Sequence, residues 1–339
     1  MSFITNIRSV AKYESKILVR SWFFRIFTLL AVVFLGFFNF AMMLMEDNFG
    51  LWFAKSVSSN IPYLNLLLLN TGQAVVAVFL SSEFLKRDKK LDTSEVFYVR
   101  PLSNAEYVVG KIWGNLRVFL FLNLLVLAIV LAFNFMASGV AVDLPAYLVY
   151  FFLISIPTLI FIIGLSIFLM LLLKNQALTF ILLLGYIGLT LFYIQDKFYY
   201  LFDYMVYNLP LFKSTIVGFS NLELILNHRA IYFFAGLGFI FFTIFLFKRL
   251  PNARRSHYPW LFLSFCMFLL MGTAGFRHVR SILREGEMRA LYTSINNKYV
   301  YEPKMAIDYY DISVEQKSET IRSVVGMAVS YTHLTLPTK

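Results

Sequence analysis

The 339-residue chain has the composition of an integral membrane protein. Hydrophobic residues make up 59% of it and charged residues 14%, whereas about 25% of the residues of a soluble domain are charged. The formal net charge of +11 does not indicate nucleic-acid binding, because the lysines and arginines cluster in short segments between long apolar runs. Composition therefore excludes a soluble protein, predicts no nucleic-acid partner and places the chain in a lipid bilayer.

Residues 1–22 predict an amphipathic helix that lies on the membrane surface. One basic residue recurs every four positions, at Arg8, Lys12, Lys16 and Arg20, and apolar residues fill the rest of the helix. An ordinary solvated leader helix would show the same stripe. Trp22 follows immediately, as an anchor at a lipid boundary does, and favours the interfacial interpretation.

Seven apolar runs are each long enough to cross a bilayer, which takes about 20 residues. They lie at 26–45, 61–82, 118–137, 146–173, 177–194, 230–247 and 258–276, and none contains Asp, Glu, Lys or Arg. The predicted fold class is an all-α polytopic membrane protein: an interfacial helix, a six-span core, a seventh span (258–276) and then the start of a truncated β domain.

The distribution of basic residues predicts a cytoplasmic N-terminus. Segments on that side are rich in Lys and Arg, while the opposite loops between spans one and six carry only Lys55, Lys197, Lys213 and Arg229. An exception follows the seventh span, where this topology places four arginines outside: Arg277, Arg280, Arg284 and Arg289. They open a longer extramembrane segment, where the charge rule has less force.

The outer segment 195–229 is too aromatic for a freely solvated loop. Short interfacial or re-entrant helices are one interpretation, and an aromatic belt that only anchors the chain is the other. Beyond the seventh span, residues 277–328 predict a helical stalk and the first strands of an extracytoplasmic β domain, because apolar and polar residues alternate from Tyr310 to Glu315. Residues 329–339 resemble translated sequencing-adaptor DNA, so we expect them to be an artefact and the natural chain to continue past Ala328.

The longest polar stretch within the membrane portion is 83–117. Asp92 with Glu95, and Ser103 with Glu106, have the spacing of helix N-capping pairs. A short helix is therefore predicted near Thr93, ending before Pro101, and a second is predicted to begin at Asn104 and run into the third span. The first helix carries Phe97 and Tyr98 among charged residues, which is the composition of a protein-protein contact.

This stretch resembles the loop between the second and third spans of type-2 ATP-binding-cassette (ABC) permeases. The resemblance lies in a glutamate (Glu83), then Arg-Asp-Lys-Lys (87–90), then Arg-Pro-Leu-Ser-Asn-Ala-Glu-Tyr-Val-Val-Gly-Lys (100–111). In that family the loop holds a coupling helix that rests in a groove of a separate ATPase subunit. The ATPase-docking residues that follow from the resemblance and the local pattern are Glu83, Arg87, Asp92, Glu95, Phe97, Tyr98, Pro101, Ser103, Glu106, Tyr107, Gly110 and Lys111. A glycine common after the charged run is replaced here by Lys90-Leu91-Asp92.

The resemblance implies a six-span permease domain at 23–250 that pairs with a second permease half and with ABC ATPase subunits in a bacterial cytoplasmic membrane. Residues beyond 276 resemble more weakly the longer members that carry an extracytoplasmic β domain and, in some cases, a zinc aminopeptidase. No His-Glu-x-x-His motif occurs, and Ala105 stands where a Walker A loop ending at Lys111 would need glycine. We therefore expect no enzymatic activity and no bound cofactor in this chain, with ATP bound by the partner.

Polar residues within the apolar runs have two explanations. Interhelical hydrogen bonds account for most such residues, while Asn39, Asn65 and Asn123 are candidates for a substrate route. Gly110 and Gly114 form a small-xxx-small pair that can pack helices. The histidines 228, 257 and 278 are far apart in sequence and predict no metal site.

The sequence is consistent with two functions: an ABC permease subunit, and a membrane anchor for a missing extracytoplasmic domain. An ion-coupled secondary transporter is disfavoured because it usually needs ionisable residues inside the spans.

Overall fold

The computed structural model describes residues 3–44, 57–82, 102–136, 142–194, 196–209, 211, 213, 218–219, 221–247, 258–301, 306–317 and 320–330. The chain forms two compact units. The first comprises residues 1–212 and 221–278, and the second comprises residues 213–220 and 279–339.

Helices make up the first unit. In chain order they are α1 (Phe3–Arg20), α2 (Trp22–Leu44), α3 (Asn60–Ser82), α4 (Asn104–Met136), α5 (Leu144–Tyr150), α6 (Ile156–Leu173), α7 (Gln176–Leu189), α8 (Leu222–Leu246) and α9 (Tyr258–Tyr299). A π-helical turn at Phe151–Ser155 joins α5 to α6, so that Leu144–Leu173 is one continuous fourth span. The last turns of α9 extend into the second unit.

Seven of the described helical segments are long and apolar enough to cross a membrane. The chain is thus a multi-pass α-helical membrane protein, and all seven predicted spans are confirmed as helices. Within the region predicted as a helix at 1–22, α1 is described over Phe3–Arg20. The helix predicted to begin at Asn104 and run into the third span is confirmed as α4.

The predicted boundary of the sixth span is wrong. It was placed at residue 230, but α8 begins at Leu222, eight residues earlier. Arg229 therefore does not lie in a loop: it is inside the span and almost completely buried. The polar residues before the apolar run hid this boundary, because a charged residue near a span end usually marks the membrane surface.

Helices α6 and α8 pack closely in the core. A Cβ atom added to Gly164 would lie 2.7 Å from the Gly236 carbonyl oxygen, and one added to Gly236 would lie 2.7 Å from the backbone of Ile160 and Phe161. Glycine at both positions lets the two backbones approach in the way small residues permit in membranes. Phe161 packs edge-on against Tyr232 of α8 beside this contact.

The second unit contains the described β structure. β1 (Ala306–Lys317) pairs antiparallel with β2 (Thr320–Ser330), so the predicted strands are confirmed and β2 continues two residues into the adaptor-like segment. One face of the hairpin is apolar, since Tyr310 pairs with Met327 and Ile312 with Val325. Both apolar pairs are exposed, and an isolated two-stranded hairpin is only marginally stable. A complete β domain stays a prediction.

The α6–α8 contact can be tested by adding a methyl group. Gly236→Ala places Cβ against backbone atoms that cannot rotate away, so the helices must separate, and we expect a loss of about 1–3 kcal/mol in the free energy of unfolding. This loss is measured by unfolding the protein in detergent micelles with increasing concentrations of dodecyl sulfate.

The matched control is Gly185→Ala in α7, where nothing lies within 4 Å of the added Cβ. This control should be neutral or stabilising, because alanine is the better helix former. Equal stability of the two variants would contradict the close-packing account.

Candidate functional site

The predicted ATPase-docking region is divided by the limits of the described chain. The predicted helix near Thr93 and its cap lie outside the described ranges. Seven of the docking residues also lie outside them: Glu83, Arg87, Asp92, Glu95, Phe97, Tyr98 and Pro101. The other five, which are Ser103, Glu106, Tyr107, Gly110 and Lys111, lie at the start of α4.

The predicted capping pair at the start of α4 is confirmed. The Glu106 backbone N–H donates to the Ser103 hydroxyl at 3.1 Å, and the Ser103 N–H donates to the Glu106 carboxylate at 2.6 Å. These reciprocal bonds satisfy two of the backbone donors that a helix start leaves free. The second oxygen of Glu106 accepts a 2.9 Å bond from the Asn6 amide of α1, so the cap also joins two helices.

The small-xxx-small pair packs α4 directly on α1, as predicted. A Cβ atom on Gly110 would lie 2.7 Å from the Cβ of Val10, and one on Gly114 would lie 2.9 Å from the Ala11 carbonyl oxygen. Any larger side chain at either glycine would push the two helices apart. Glycine here brings the backbones close enough for polar side chains to bridge them.

A buried ion pair lies beside this contact. Lys111 Nζ is 3.0 Å from a Glu14 carboxylate oxygen, and the two side chains are only 2% and 4% exposed. Removing two charges from water is costly, and a single partner left alone costs several kcal/mol. The pair therefore couples α1 to α4 in one relative position.

Further polar contacts extend the α1–α4 junction by one more turn. The Ser15 hydroxyl donates to the Gly114 carbonyl at 2.7 Å, while the Arg117 guanidinium donates to the Ser15 hydroxyl and, at 2.7 Å, to the Ala11 carbonyl. Sequence reasoning missed Glu14 and Ser15. The available signal was a lone acidic residue on a basic helix, opposite a glycine pair.

The start of α4 also contacts the end of α8. Tyr107 stacks on Phe247 with 5.4 Å between ring centroids, and the Asn104 amide donates to the Phe247 carbonyl at 2.6 Å. The C-terminal carbonyls of a helix lack partners within the helix, so Asn104 satisfies one of them. This contact connects the α1–α4 junction to the sixth span.

These contacts change the expected role of the five described residues. Glu106, Tyr107 and Lys111 are buried within this chain, and Gly110 is covered by α1, so they do not offer a surface on which another subunit can rest. Ser103 is exposed. Docking by the seven residues outside the described ranges stays a prediction.

The candidate substrate-route asparagines make bonds between helices. Asn39 and Asn65 exchange amide hydrogen bonds of 2.7 and 3.1 Å between α2 and α3. Asn123 of α4 accepts from Asn70 at 3.1 Å and from Ser155 at 2.8 Å, and donates to Gln73 at 2.8 Å. The structural explanation of these residues is thereby confirmed, and a substrate route stays a prediction.

A second buried polar centre surrounds Arg229, which sequence reasoning had placed in a loop. Its Nε donates to the Leu153 carbonyl at 2.6 Å. Pro157 has no N–H and stands four residues after Leu153, so the fourth span cannot satisfy that carbonyl by the usual helical bond. Arg229 supplies the missing donor across the helix interface.

The same guanidinium holds the segment 198–211, which we call the inserted segment. Its nitrogens donate to the Tyr204 carbonyl and to the Thr158 hydroxyl, both at 2.8 Å. Other span residues bind the segment in the same way: Tyr63 donates to Val206, Tyr150 to Leu211, Tyr232 to Leu201, His228 to Tyr200 and His278 to Tyr199, each through a backbone carbonyl. Side chains from four spans thus replace water around this backbone.

The inserted segment combines features of the two sequence interpretations. Tyr204, Met205, Val206 and Leu209 are almost fully buried and pack into the helices, whereas Phe198, Tyr199, Phe202 and Tyr207 are between 41% and 61% exposed. Its only described helix is the three-residue turn Phe198–Tyr200. The predicted set of short helices is therefore replaced by an irregular chain held by side chains.

Asp203 organises the turn inside this segment. Its carboxylate accepts 2.9 Å bonds from the backbone N–H groups of Tyr207 and Asn208. Burial raises the pKa of the Asp203 carboxyl, and the two hydrogen bonds and the charge of Arg229 oppose that rise. Burial likewise raises the pKa of the Tyr204 hydroxyl well above its ordinary value.

His228 and His278, which are fifty positions apart in sequence, lie close together in the structure. Their ring centroids are 5.0 Å apart, because α8 and α9 meet at the inserted segment. His257 lies outside the described residues. Among the described residues no group of three or more metal-ligating side chains occurs.

The ion pair predicts a strongly non-additive double mutant. Lys111→Met removes the cation 3.0 Å from the buried Glu14 carboxylate, so we expect a loss of about 3–5 kcal/mol in the free energy of unfolding. The double variant Lys111→Met, Glu14→Leu removes both charges and should recover most of that loss. The exposed Lys12→Met on α1 is the control, and a Lys111→Met variant as stable as this control would contradict the coupling.

Arg229→Met should loosen the inserted segment. It removes the Arg229 bonds to the Leu153 and Tyr204 carbonyls, of which Tyr204 keeps a 3.2 Å bond from the Thr158 hydroxyl; the lost bonds cost about 2–4 kcal/mol, and hydrogen exchange of residues 199–209 should accelerate. Mass spectrometry of exchanged peptides measures this, with the exposed Arg20→Met as control. Unchanged protection of those peptides would show that Arg229 does not hold the segment.

In comparisons with known proteins, no protein-family model matches this sequence and no curated protein is significantly similar to it. A functional assignment therefore depends on the chain's own residues.

Proposed function

We propose that this chain is the membrane permease subunit of an ATP-driven ABC exporter, with ATP hydrolysed by a separate subunit. The observation that carries the proposal is the α1–α4 junction directly after residues 83–101. A short segment that receives force from a partner must be joined firmly to the spans it moves. The buried Lys111–Glu14 pair and the Gly110 and Gly114 contacts provide that connection.

The sixth span offers a route from this junction to the inserted segment. α8 ends at Leu246; its C-capping residue Phe247 stacks on Tyr107, and the helix carries Arg229 near its start. Phe247 and Arg229 are separated by eighteen positions, or about 27 Å of helix. A displacement of the α4 start can thus reach the bonds that hold the inserted segment through one rigid element.

In the proposed cycle, closure of the ATPase dimer moves residues 83–101 and, with them, α1 and the start of α4. α8 follows through Phe247, and Arg229 shifts relative to the fourth span. The partner binds ATP, so no cofactor site is assigned to this chain. The N-terminus is cytoplasmic in this scheme, and a second permease half completes the pathway in a bacterial cytoplasmic membrane.

A membrane anchor for an extracytoplasmic domain is the second candidate. The observation that favours it is the 42-residue helix α9 followed by an exposed amphipathic hairpin. An anchor, however, needs neither a buried ion pair between α1 and α4 nor an arginine that holds an irregular segment between spans.

The two candidates differ in their dependence on a partner. We expect an ABC ATPase subunit encoded beside this chain to co-purify with it and to lose at least about tenfold in retention in the variant Phe97→Ala, Tyr98→Ala, because truncating aromatic anchors commonly costs about 2 kcal/mol or more. Tyr301→Ala, at a 95% exposed position elsewhere, is the control. Equal retention and equal stimulated ATPase activity in all three proteins would refute the docking site.

A further inference from the structure

We infer that Arg280 and Arg284 form a binding site for the phosphate headgroup of an anionic phospholipid at the end of the seventh span. The proposal does not depend on the transport function. It explains the one group of basic residues that does not follow the predicted orientation of the chain.

The two arginines continue the face of α9 that the other helices leave uncovered. Phe262, Leu269 and Phe276 follow one another at seven-residue intervals and are 67%, 54% and 66% exposed. Arg280 comes four residues after Phe276, and Arg284 four residues after that. Residues at these spacings share one face of a helix, so the arginines extend the lipid-facing stripe directly.

Their height along the helix matches the headgroup layer. At about 1.5 Å per residue, Arg280 lies about 6 Å and Arg284 about 12 Å beyond Phe276, and Leu283, the next apolar residue of the stripe, lies between them and is 47% exposed. Each headgroup region is roughly 5–8 Å thick. Side chains on a helix point toward its N-terminus, which here is toward the membrane, so both guanidinium groups can bend back into the phosphate layer.

The charges are available for a ligand. Arg280 and Arg284 are exposed, and neither forms an ion pair with another residue in the described part of the chain. Arg277, by contrast, lies 3.6 Å from Glu223 and is partly neutralised. A planar guanidinium binds phosphate oxygens through two parallel hydrogen bonds, and two such groups one turn apart suit a single anionic headgroup better than a zwitterionic one, whose ammonium they repel.

The test measures lipid retention by the full chain in detergent micelles. Native mass spectrometry follows binding of phosphatidylglycerol and, separately, phosphatidylcholine. Each basic residue near a membrane contributes about 1 kcal/mol toward anionic lipid, which is about fivefold. Arg280→Gln, Arg284→Gln should therefore reduce phosphatidylglycerol affinity about 25-fold and leave phosphatidylcholine binding unchanged.

Arg289→Gln provides the control for a single charge. It is compared with Arg280→Gln, which also removes one positive charge. Arg289 is exposed but lies eleven residues, or three turns, after the buried His278, so it is on the other face and about 20 Å beyond Phe276. We expect wild-type lipid binding for Arg289→Gln and a fivefold loss for Arg280→Gln.

Three results would overturn the proposal. Equal losses for Arg280→Gln and Arg289→Gln would show a general charge effect, and equal binding of the two lipids by the wild-type chain would show that no anionic site exists. Displacement of phosphatidylglycerol by low millimolar inorganic phosphate would identify a site for a soluble anion instead. Circular dichroism of each variant establishes that the helices are intact.

Discussion

A backbone carbonyl inside a membrane must find a donor within the protein, and the fourth span cannot provide the regular helical donor for Leu153. Pro157 removes the N–H that a regular helix would supply, and the π-helical turn Phe151–Ser155 shifts the neighbouring bonds. Arg229 donates to this carbonyl and, with the same guanidinium, to Tyr204 of the inserted segment. One charged residue thereby makes a broken helix and an irregular chain compatible with a lipid environment.

The same constraint explains how the inserted segment can exist between spans. Non-helical backbone at membrane depth is tolerated where it is buried in protein and its polar groups are satisfied. Here tyrosines, histidines, a threonine and an arginine from the spans provide donors for successive carbonyls. These donors sit on long or aromatic side chains, which reach across a helix interface while their apolar parts fill the core. Arg229 is the one charged member of this set, so its position affects several bonds at once.

Local patterns predicted what depends on neighbours in sequence. The seven spans follow from apolar run length, the start of α4 from the Ser103–Glu106 pair, and a close helix contact from Gly110 and Gly114. The partners of these residues could not be predicted, because Glu14 reaches Lys111 across about a hundred positions of chain and His228 reaches His278 across fifty. The place of Arg229 inside a span was missed for a related reason: its acceptors are the carbonyls of Leu153 and Tyr204 and the hydroxyl of Thr158, and no local pattern connects those residues to it.

The two polar centres differ in what a change of one charge would do. At the α1–α4 junction the charges of Lys111 and Glu14 neutralise each other, so neither charge gains a better partner when the helices move. At Arg229 the guanidinium is shared among carbonyls, a hydroxyl and the field of Asp203, and no single acceptor neutralises it. A guanidinium can exchange one carbonyl or hydroxyl acceptor for another, but it cannot exchange a lone carboxylate in the same way. The junction is therefore the rigid end of α8, and the Arg229 end is the one at which an exchange of hydrogen-bond partners can accompany a movement of the spans.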